Sequence, residues 1–81
     1  MKKFLYHGKK NICGDRIRLA RLGKRLSQTD LARMLQLQGV PAERDIISRM
    51  EIGDRLVTDY EGVTIAEVLD VSVVWLLGKE E

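Results

Sequence analysis

The sequence of 81 residues has little of what catalysis or metal binding needs. Its single cysteine, Cys13, cannot form an internal disulfide, and its single histidine, His7, lies six residues away, so the two fall far short of a zinc-ligand set. The glycines are scattered singly, which leaves no glycine-rich loop to bind phosphate. We therefore expect neither an enzyme nor a cofactor, and we interpret Cys13 as an inert small residue.

Long apolar runs are also missing. No stretch approaches the roughly 20 apolar residues of a membrane span, and the basic start, residues 1–3, leads into only three apolar or aromatic residues, too few for a secretory signal. We therefore expect a cytoplasmic protein without membrane contact. With 44% hydrophobic residues, a chain of this length can bury one modest core, which predicts a single domain.

Charge is distributed unevenly along the chain. Residues 1–25 contain nine lysines and arginines and one acid, whereas residues 26–81 contain five basic and eleven acidic side chains. This asymmetry is compatible with two interpretations: an electrostatic contact for phosphate, or a solvated tail followed by an ordinary charged helix face. Residues 1–10 show no helical period and are predicted to be a basic N-terminal arm, and residues 11–81 to be the domain.

Helical periodicity and capping residues divide the domain into five helices. The first is expected from about Asn11 to Arg25, with Ile17 and Ala20 inward, Arg16 outward, and ends weakened by Gly14 and Gly23. The second follows a capping box at residues 27–30 and ends before Gly39. Its expected core residues are Leu31, Ala32 and Leu35.

Pro41 favours the entry to a third helix, about residues 42–52, which buries Ile47 and Met50 and stops at Gly53. A second capping box at residues 58–61 opens the fourth helix, with an expected buried face of Val63, Ile65, Ala66 and Leu69. Ser72 is suited to cap the last helix. The apolar block at residues 73–77 closes the core, forms part of a dimer surface, or does both.

Three sequence blocks follow one another along the chain: Leu26-Ser27-Gln28-x-x-Leu31-Ala32, Ile47-Ser48-Arg49-x-Glu51-x-Gly53, and Val57-Thr58-Asp59-Tyr60 together with Ala66-x-Val68-Leu69-x-Val71-Ser72-x-x-Trp75-Leu76-Leu77-Gly78. In this order they resemble the Cro and phage-repressor helix-turn-helix family, the xenobiotic-response-element (XRE) type of transcriptional regulator. The resemblance implies an all-α fold, a compact five-helix lambda-repressor-like DNA-binding domain with a helix-turn-helix. The segment between Leu35 and Ile47 is about five residues longer than the shortest family pattern, so we expect a lengthened turn.

The resemblance also implies roles for particular residues. It places the start of the third helix in the major groove of DNA and assigns phosphate contacts to the second helix and to the loop after Gly53. It pairs an arginine of the first helix with a glutamate of the third. In this sequence the implied base-reading residues are Glu43, Arg44, Asp45, Ser48 and Arg49; the phosphate contacts are Gln28, Thr29 and Arg55; and the structural ion pair is Arg21 with Glu51. The possible dimer surface, Val74, Trp75 and Leu77, is inferred instead from the apolar block at residues 73–77.

Two functions follow as hypotheses. The first is a sequence-specific transcriptional regulator, a repressor, that binds double-stranded DNA as a homodimer. The second is a protein-interaction module on the same scaffold, such as an antirepressor or an antitoxin-like partner. Acidic Glu43 and Asp45 and apolar Ile46 and Ile52, all expected on the exposed face of the third helix, favour the second. Arg49 likewise has two interpretations, groove contact or an ion pair with Asp45 one turn earlier.

Overall fold

The computed structural model describes residues 6–79, which form five α-helices, as the sequence predicts. They are α1 (Gly14–Gly23), α2 (Gln28–Leu37), α3 (Arg44–Ile52), α4 (Asp59–Leu69) and α5 (Val73–Leu76). Within these residues the only β-type pairing is an isolated bridge between Tyr6 and Lys9. The first five residues of the predicted arm lie outside the described residues. No helix in the described part of the chain is long and apolar enough to cross a membrane.

Helix α1 is shorter than predicted at both ends. It begins at Gly14 and not near Asn11, although the Asn11 side-chain oxygen still accepts a hydrogen bond from the Gly14 N–H at 2.8 Å. It ends at Gly23, because the chain turns at Arg25, whose φ is +58°. Both glycines therefore occupy the terminal positions of the helix and not its interior.

Gly14 allows α1 to approach α3 closely. It is buried, and a Cβ atom built on it would lie 2.3 Å from the carbonyl oxygen of Met50 and 2.9 Å from that of Glu51. These are backbone atoms, which do not move aside as a flexible side chain does. The start of α1 therefore packs directly on the last turn of α3, and a glycine is required for that contact.

Helix α2 and its connection to α3 follow the predicted pattern. Ser27 and Asp30 form both hydrogen bonds of the capping box, at 2.9 Å each, and Leu31, Ala32 and Leu35 are buried. The helix ends in a Schellman motif around Gly39, and the six residues 38–43 connect it to α3. This lengthened turn is part of the core, because Val40 and Ala42 are buried, and the Gln36 side chain donates to the Ala42 carbonyl oxygen.

The remaining helices pack on this framework. Helix α3 begins at Arg44, two residues after the predicted start, buries Ile47 and Met50, and ends at Gly53, whose φ is +83°. The capping box of α4 is present, and Ser72 caps α5 by accepting from the Trp75 N–H. The central core is formed by the fully buried side chains of Ile17, Leu31, Leu35, Ile47, Met50, Ile65, Leu69 and Leu76.

The prediction for the buried face of α4 is wrong at one position. Val63 is exposed, whereas Ile65, Ala66 and Leu69 are buried as expected. At about 100° per residue, the buried stripe is centred between Ile65 and Leu69, and Val63 lies well outside it. Its apolar side chain therefore faces solvent beside α5.

Candidate nucleic-acid interface

Helix α3 presents a polar outer face along its first two turns. Its N-cap residue, Glu43, has extended backbone geometry, and Glu43, Arg44, Asp45 and Arg49 are all exposed, while Ser48 is half-buried. The opposite side of the helix is anchored in the core. The structure thus brings the five predicted base-reading residues to one side of a single short helix, from its N-cap to its last turn.

The apolar residues predicted to be exposed on this helix behave differently from one another. Ile46 is half-buried and packs against the core, so the prediction that it is exposed is wrong. It lies next to buried Ile47 and one turn before Met50, which places it at the edge of the buried stripe. Ile52 is 64% exposed, as expected.

A buried ion pair joins α1 to α3. The Arg21 Nε donates to Glu51 Oε2 at 2.7 Å and its Nη2 donates to Glu51 Oε1 at 3.0 Å, with the two side chains only 8% and 2% exposed. The Arg21 Nη1 also donates to the carbonyl oxygen of Leu26, at 2.8 Å. The hydrogen bonds to Glu51 raise the pKa of Arg21 above its ordinary value. One guanidinium therefore fixes α1, the α1–α2 connection and the last turn of α3 relative to one another.

Gln28 extends this network to the surface. Its side-chain amide donates to Glu51 Oε1 at 3.1 Å, and its side-chain oxygen accepts from Arg44 Nη1 at 3.4 Å. Gln28 is the first residue of α2 and is half-buried, while the adjacent Thr29 is exposed. A continuous series of hydrogen bonds thus runs from Arg21 through Glu51 and Gln28 to Arg44 on the outer face.

The other two arginines near α3 have acidic partners that the sequence did not predict. Arg49 lies 3.6 Å from Asp54 just after the helix, and not against Asp45; both side chains of this pair are more than half exposed. Arg55 donates to both carboxylate oxygens of Glu61, at 3.0 and 3.2 Å, and to the Leu56 carbonyl oxygen. The spacing of six residues across a loop gives no helical periodicity from which such a pair can be inferred.

Glu61 is the more deeply buried member of that second pair, with a side chain 5% exposed. Burial acts to raise the pKa of Glu61, but hydrogen bonds from Arg55 and from the Thr58 N–H outweigh it, and the pKa is held below its ordinary value. The same carboxylate therefore completes the capping box of α4 and anchors the loop that follows α3.

The residues before α1 are attached to the end of α3, a contact that the sequence did not reveal. Tyr6 and Lys9 form two backbone hydrogen bonds across a turn, and the Lys10 N–H donates to the Gly53 carbonyl oxygen at 2.8 Å. The Asn11 side-chain amide donates to the carbonyl oxygens of Met50 and Arg55, at 2.9 and 2.8 Å. This short segment therefore satisfies carbonyl groups at the C-terminal end of α3 and in the loop beyond it.

The predicted dimer surface is divided between exposed and engaged residues. Val74 and Leu77 are exposed, whereas Trp75 is half-buried under Arg16. The Arg16 guanidinium carbon lies 4.8 Å from the centre of the Trp75 ring, and Nη1 donates to the Trp75 carbonyl oxygen at 3.0 Å. The prediction that Arg16 points outward is wrong, because its guanidinium stacks on an aromatic ring that the helical period of α1 alone does not reveal.

Other chemistry is limited within residues 6–79. No group of three or more His, Cys, Asp or Glu side chains is placed to hold a metal ion. Cys13 is buried, and this burial raises the pKa of its thiol. A buried thiol with a raised pKa is a poor nucleophile, which agrees with the interpretation of Cys13 as an inert small residue.

The arrangement of α1 to α5 is a repressor-type helix-turn-helix fold, in which α2 and α3 form the helix-turn-helix. A matching solved structure is the crystal structure of the P22 c2 repressor protein in complex with synthetic operator 9T in the presence of Tl+. The TM-score is 0.72 at 24% sequence identity, over 86% of this chain and 98% of the repressor chain. No protein-family model and no curated protein matches the sequence. The structural likeness to the repressor chain confirms the predicted fold class.

Proposed function

We propose that this protein is a sequence-specific DNA-binding regulator of transcription that reads the major groove with α3. The observation that carries the proposal is the polar outer face of α3, held at a fixed angle by the Arg21–Glu51 pair and by Gln28. A major groove about 12 Å wide admits one helix, and base discrimination requires that helix to be rigidly oriented. The fold that the chain shares with the P22 c2 repressor, which was solved with an operator, supports this function.

Arg44 and Arg49 are the principal base-reading residues in this proposal. A guanidinium can donate twice to the O6 and N7 atoms of guanine, which is worth about 1 to 3 kcal/mol of discrimination. Both arginines make only weak contacts in the free protein. Arg44 donates a long hydrogen bond of 3.4 Å to Gln28, and Arg49 forms an exposed ion pair at 3.6 Å with Asp54. Neither contact binds its arginine strongly enough to prevent it from turning toward a base.

The acidic residues at the start of α3 have a defined part in the proposal. Glu43 and Asp45 lie at the positive end of the helix dipole, which favours them in the free protein. In a groove, a carboxylate can accept a hydrogen bond from the N4 amino group of cytosine. Together with Ser48 they confer selectivity, while their negative charge lowers affinity for random sequence.

Backbone phosphates are contacted from both sides of the reading helix. Gln28 and Thr29 lie at the N-terminus of α2, where backbone N–H groups and the helix dipole favour an anion. Arg55 lies in the loop after α3, with its guanidinium oriented by Glu61. These contacts set the position of α3 along the duplex and contribute affinity that depends on salt.

The proposed regulator is a repressor that acts as a homodimer. Exposed Val74 and Leu77, beside the partly covered Trp75, leave apolar surface at the C-terminal end of the described domain. A second copy that covers this surface would place two reading helices on half-sites about one turn of DNA apart. A bound dimer of this kind represses by blocking access to a promoter, which requires no catalysis.

Selection of bound sequences from a random duplex pool at about 100 mM salt tests the proposal. We expect the wild-type protein to enrich a palindromic site and the double variant Arg44→Ala, Arg49→Ala to lose that enrichment. The matched control is Arg18→Ala, Arg33→Ala, which removes the same charge from exposed positions on α1 and α2 and is expected to recover the wild-type site. Absence of enrichment by the wild-type protein would contradict the proposal.

The alternative is a protein-interaction module, favoured by one specific observation. Ile52, at 64% exposure, forms apolar surface at the C-terminal end of α3, about two turns from the acidic start of the helix, although half-buried Ile46 contributes little to it. In this alternative, the Arg44→Ala, Arg49→Ala variant keeps its affinity for the partner. Substitution of Ile52 by serine is expected to abolish binding to that partner.

A further inference from the structure

A shallow groove lies between the segment that precedes α1 and the loop that follows α3. Its volume is about 360 Å³, and it is lined by Lys10, Arg49, Asp54, Arg55, Leu56 and Thr58. Three of these six side chains are cationic and one is anionic. It is separate from the positions of Gln28 and Thr29 at the start of α2.

Lys10 provides the net positive charge of the groove. Arg49 is matched by Asp54, and Arg55 is matched by Glu61 behind the groove wall. Lys10 is exposed and forms no ion pair with any residue among those described, unlike the adjacent Lys9, which lies 3.5 Å from Asp15. An exposed ammonium that is not held in an ion pair is available to an anion at little desolvation cost.

The backbone position of Lys10 is fixed relative to α3. Its N–H donates to the Gly53 carbonyl oxygen, and the aliphatic part of the neighbouring Lys9 covers Gly53. Asn11 then holds the chain with hydrogen bonds to Met50 and Arg55. The Lys10 backbone therefore has a defined place beside the reading helix.

From this geometry we propose that the groove binds a backbone phosphate of the DNA duplex, with Lys10 as its principal cation and Arg55 as a second donor. Asn11 is a positioning residue, because it sets the place of Lys10 and of the α3–α4 loop without contacting the phosphate. The inference rests on the proposed function, since it specifies a phosphate contact of the same interface. It also gives the N-terminal segment a role in holding the duplex.

The test is the salt dependence of duplex binding by Lys10→Gln. Loss of one phosphate contact is expected to reduce the slope of log K against log salt by about 0.9, with weaker binding to every sequence and an unchanged preference among sequences. The matched control is Lys24→Gln, which removes the same charge beyond the far end of α1, a ten-residue helix about 15 Å long. The control is expected to keep the wild-type slope, and Lys10→Arg to restore it.

Duplexes that carry one neutral methylphosphonate at successive backbone positions then locate the contact. The wild-type protein is expected to lose affinity at the phosphate bound in the groove and, separately, at the one contacted from the start of α2. Lys10→Gln is expected to lose less than wild type at the groove phosphate alone, where Arg55 remains as a donor. Asn11→Ala is expected to weaken the same contact in part while preference among bases is retained, with folding checked by thermal melting.

Three results distinguish the failure of this inference from the failure of the proposed function. If wild-type protein binds duplex DNA and Lys10→Gln has the same slope, the groove is not a phosphate site. Equal slope changes in Lys10→Gln and Lys24→Gln would overturn it as well, because the effect would then be one of overall charge. If the wild-type protein binds no duplex at about 50 mM salt, the proposed function itself fails.

Discussion

Helices α3 and α5 are attached to the rest of the molecule by different kinds of contact. The end of α3 and the loop after it receive side-chain hydrogen bonds from Asn11, Arg21 and Gln28, which are 23 to 44 residues away in the chain. Helix α5 has four residues, inserts Leu76 into the core, and is capped locally by Ser72. Helix α3 is thus held by several directed polar contacts. Helix α5 is held mainly by the buried side chain of Leu76 and by Arg16 of α1.

This difference matches what each helix is proposed to do. Hydrogen bonds depend on angle as well as distance, so a network of them fixes the orientation of α3 against its neighbours. Apolar contacts are not directional, so apart from the hydrogen bond from Arg16 little fixes the orientation of α5, and in the proposed dimer it would be free to repack slightly under a second copy that covers Val74 and Leu77. A reading helix gains selectivity from rigidity, whereas a surface that binds another chain gains from adaptability.

Removal of the Arg21–Glu51 ion pair, which attaches α3 to α1, is expected to have the largest effect on stability. Arg21→Ala leaves Glu51 buried and without its guanidinium, at a cost on the order of 3 kcal/mol in the free energy of unfolding. For a domain of this size, such a loss lowers Tm by more than about 10 °C in thermal melting followed by circular dichroism.

The matched control for that prediction replaces both partners. Arg21→Met combined with Glu51→Met removes the two charges together, so no charge is left unpaired in the core. We expect the double variant to be more stable than either single variant, yet weaker in selective DNA binding because the angle of α3 is no longer fixed. If the double variant were as unstable as the sum of the two singles, the ion pair would not be the source of the loss.

Alanine substitutions at the two ends of α1, Gly14 and Gly23, test whether backbone contact with α3 determines stability. Gly14→Ala pushes a methyl group against carbonyl oxygens of α3 and is expected to cost about 1 to 3 kcal/mol. Gly23→Ala, at the other end of the same helix, meets nothing within 4 Å and is expected to stabilise by about 0.4 to 1 kcal/mol. Urea denaturation of both variants measures the difference. Equal effects would show that helix propensity, and not contact with α3, governs both positions.

Local signals in the sequence predicted most of the fold. The capping boxes at Ser27 and Thr58 and the glycine stop at Gly53 appear where they were expected, because each depends on residues within one turn. Asn11 illustrates the limit of such signals. The sequence identified it as a helix cap, but its two hydrogen bonds to residues 39 and 44 positions away depend on how the helices meet.

The candidate site was predictable to a similar extent. Resemblance placed Arg21 and Glu51 as a pair, and the structure brings them to 2.7 Å. Helical periodicity could not indicate the partners of Arg49 and Arg55, because Asp54 and Glu61 are reached across a loop whose path is set by tertiary packing. Helical periodicity also assigned Arg16 to solvent, because its contact with Trp75, 59 residues away in the chain, depends on how α1 and α5 pack.

The Arg55–Glu61 ion pair after α3 is expected to contribute a smaller, pH-dependent part of the free energy of unfolding. Because the pKa of Glu61 is lower in the folded protein, its carboxylate stabilises the fold above the unfolded value of about 4.3, and this contribution is lost as pH falls through the lower folded value. Glu61→Gln is expected to cost on the order of 1.5 kcal/mol at pH 7, with a difference from wild type that shrinks below about pH 4. Denaturation from pH 7 to pH 3 measures this, and a constant difference would contradict the assignment.

The smallest effect on stability is expected from the contact between Arg16 of α1 and Trp75 of α5. Arg16→Ala removes the cation over the Trp75 ring and should cost about 0.5 to 1 kcal/mol, while Arg16→Lys keeps a cation there and should cost less. Trp75 is the only tryptophan, so its fluorescence emission is expected to shift to longer wavelength in Arg16→Ala as the ring gains solvent contact. Amide hydrogen exchange should become faster in α5 and stay unchanged in α3, because the polar network that holds α3 does not include Arg16. Faster exchange in both helices would mean that the two attachments are coupled, and that α5 contributes to the orientation of α3.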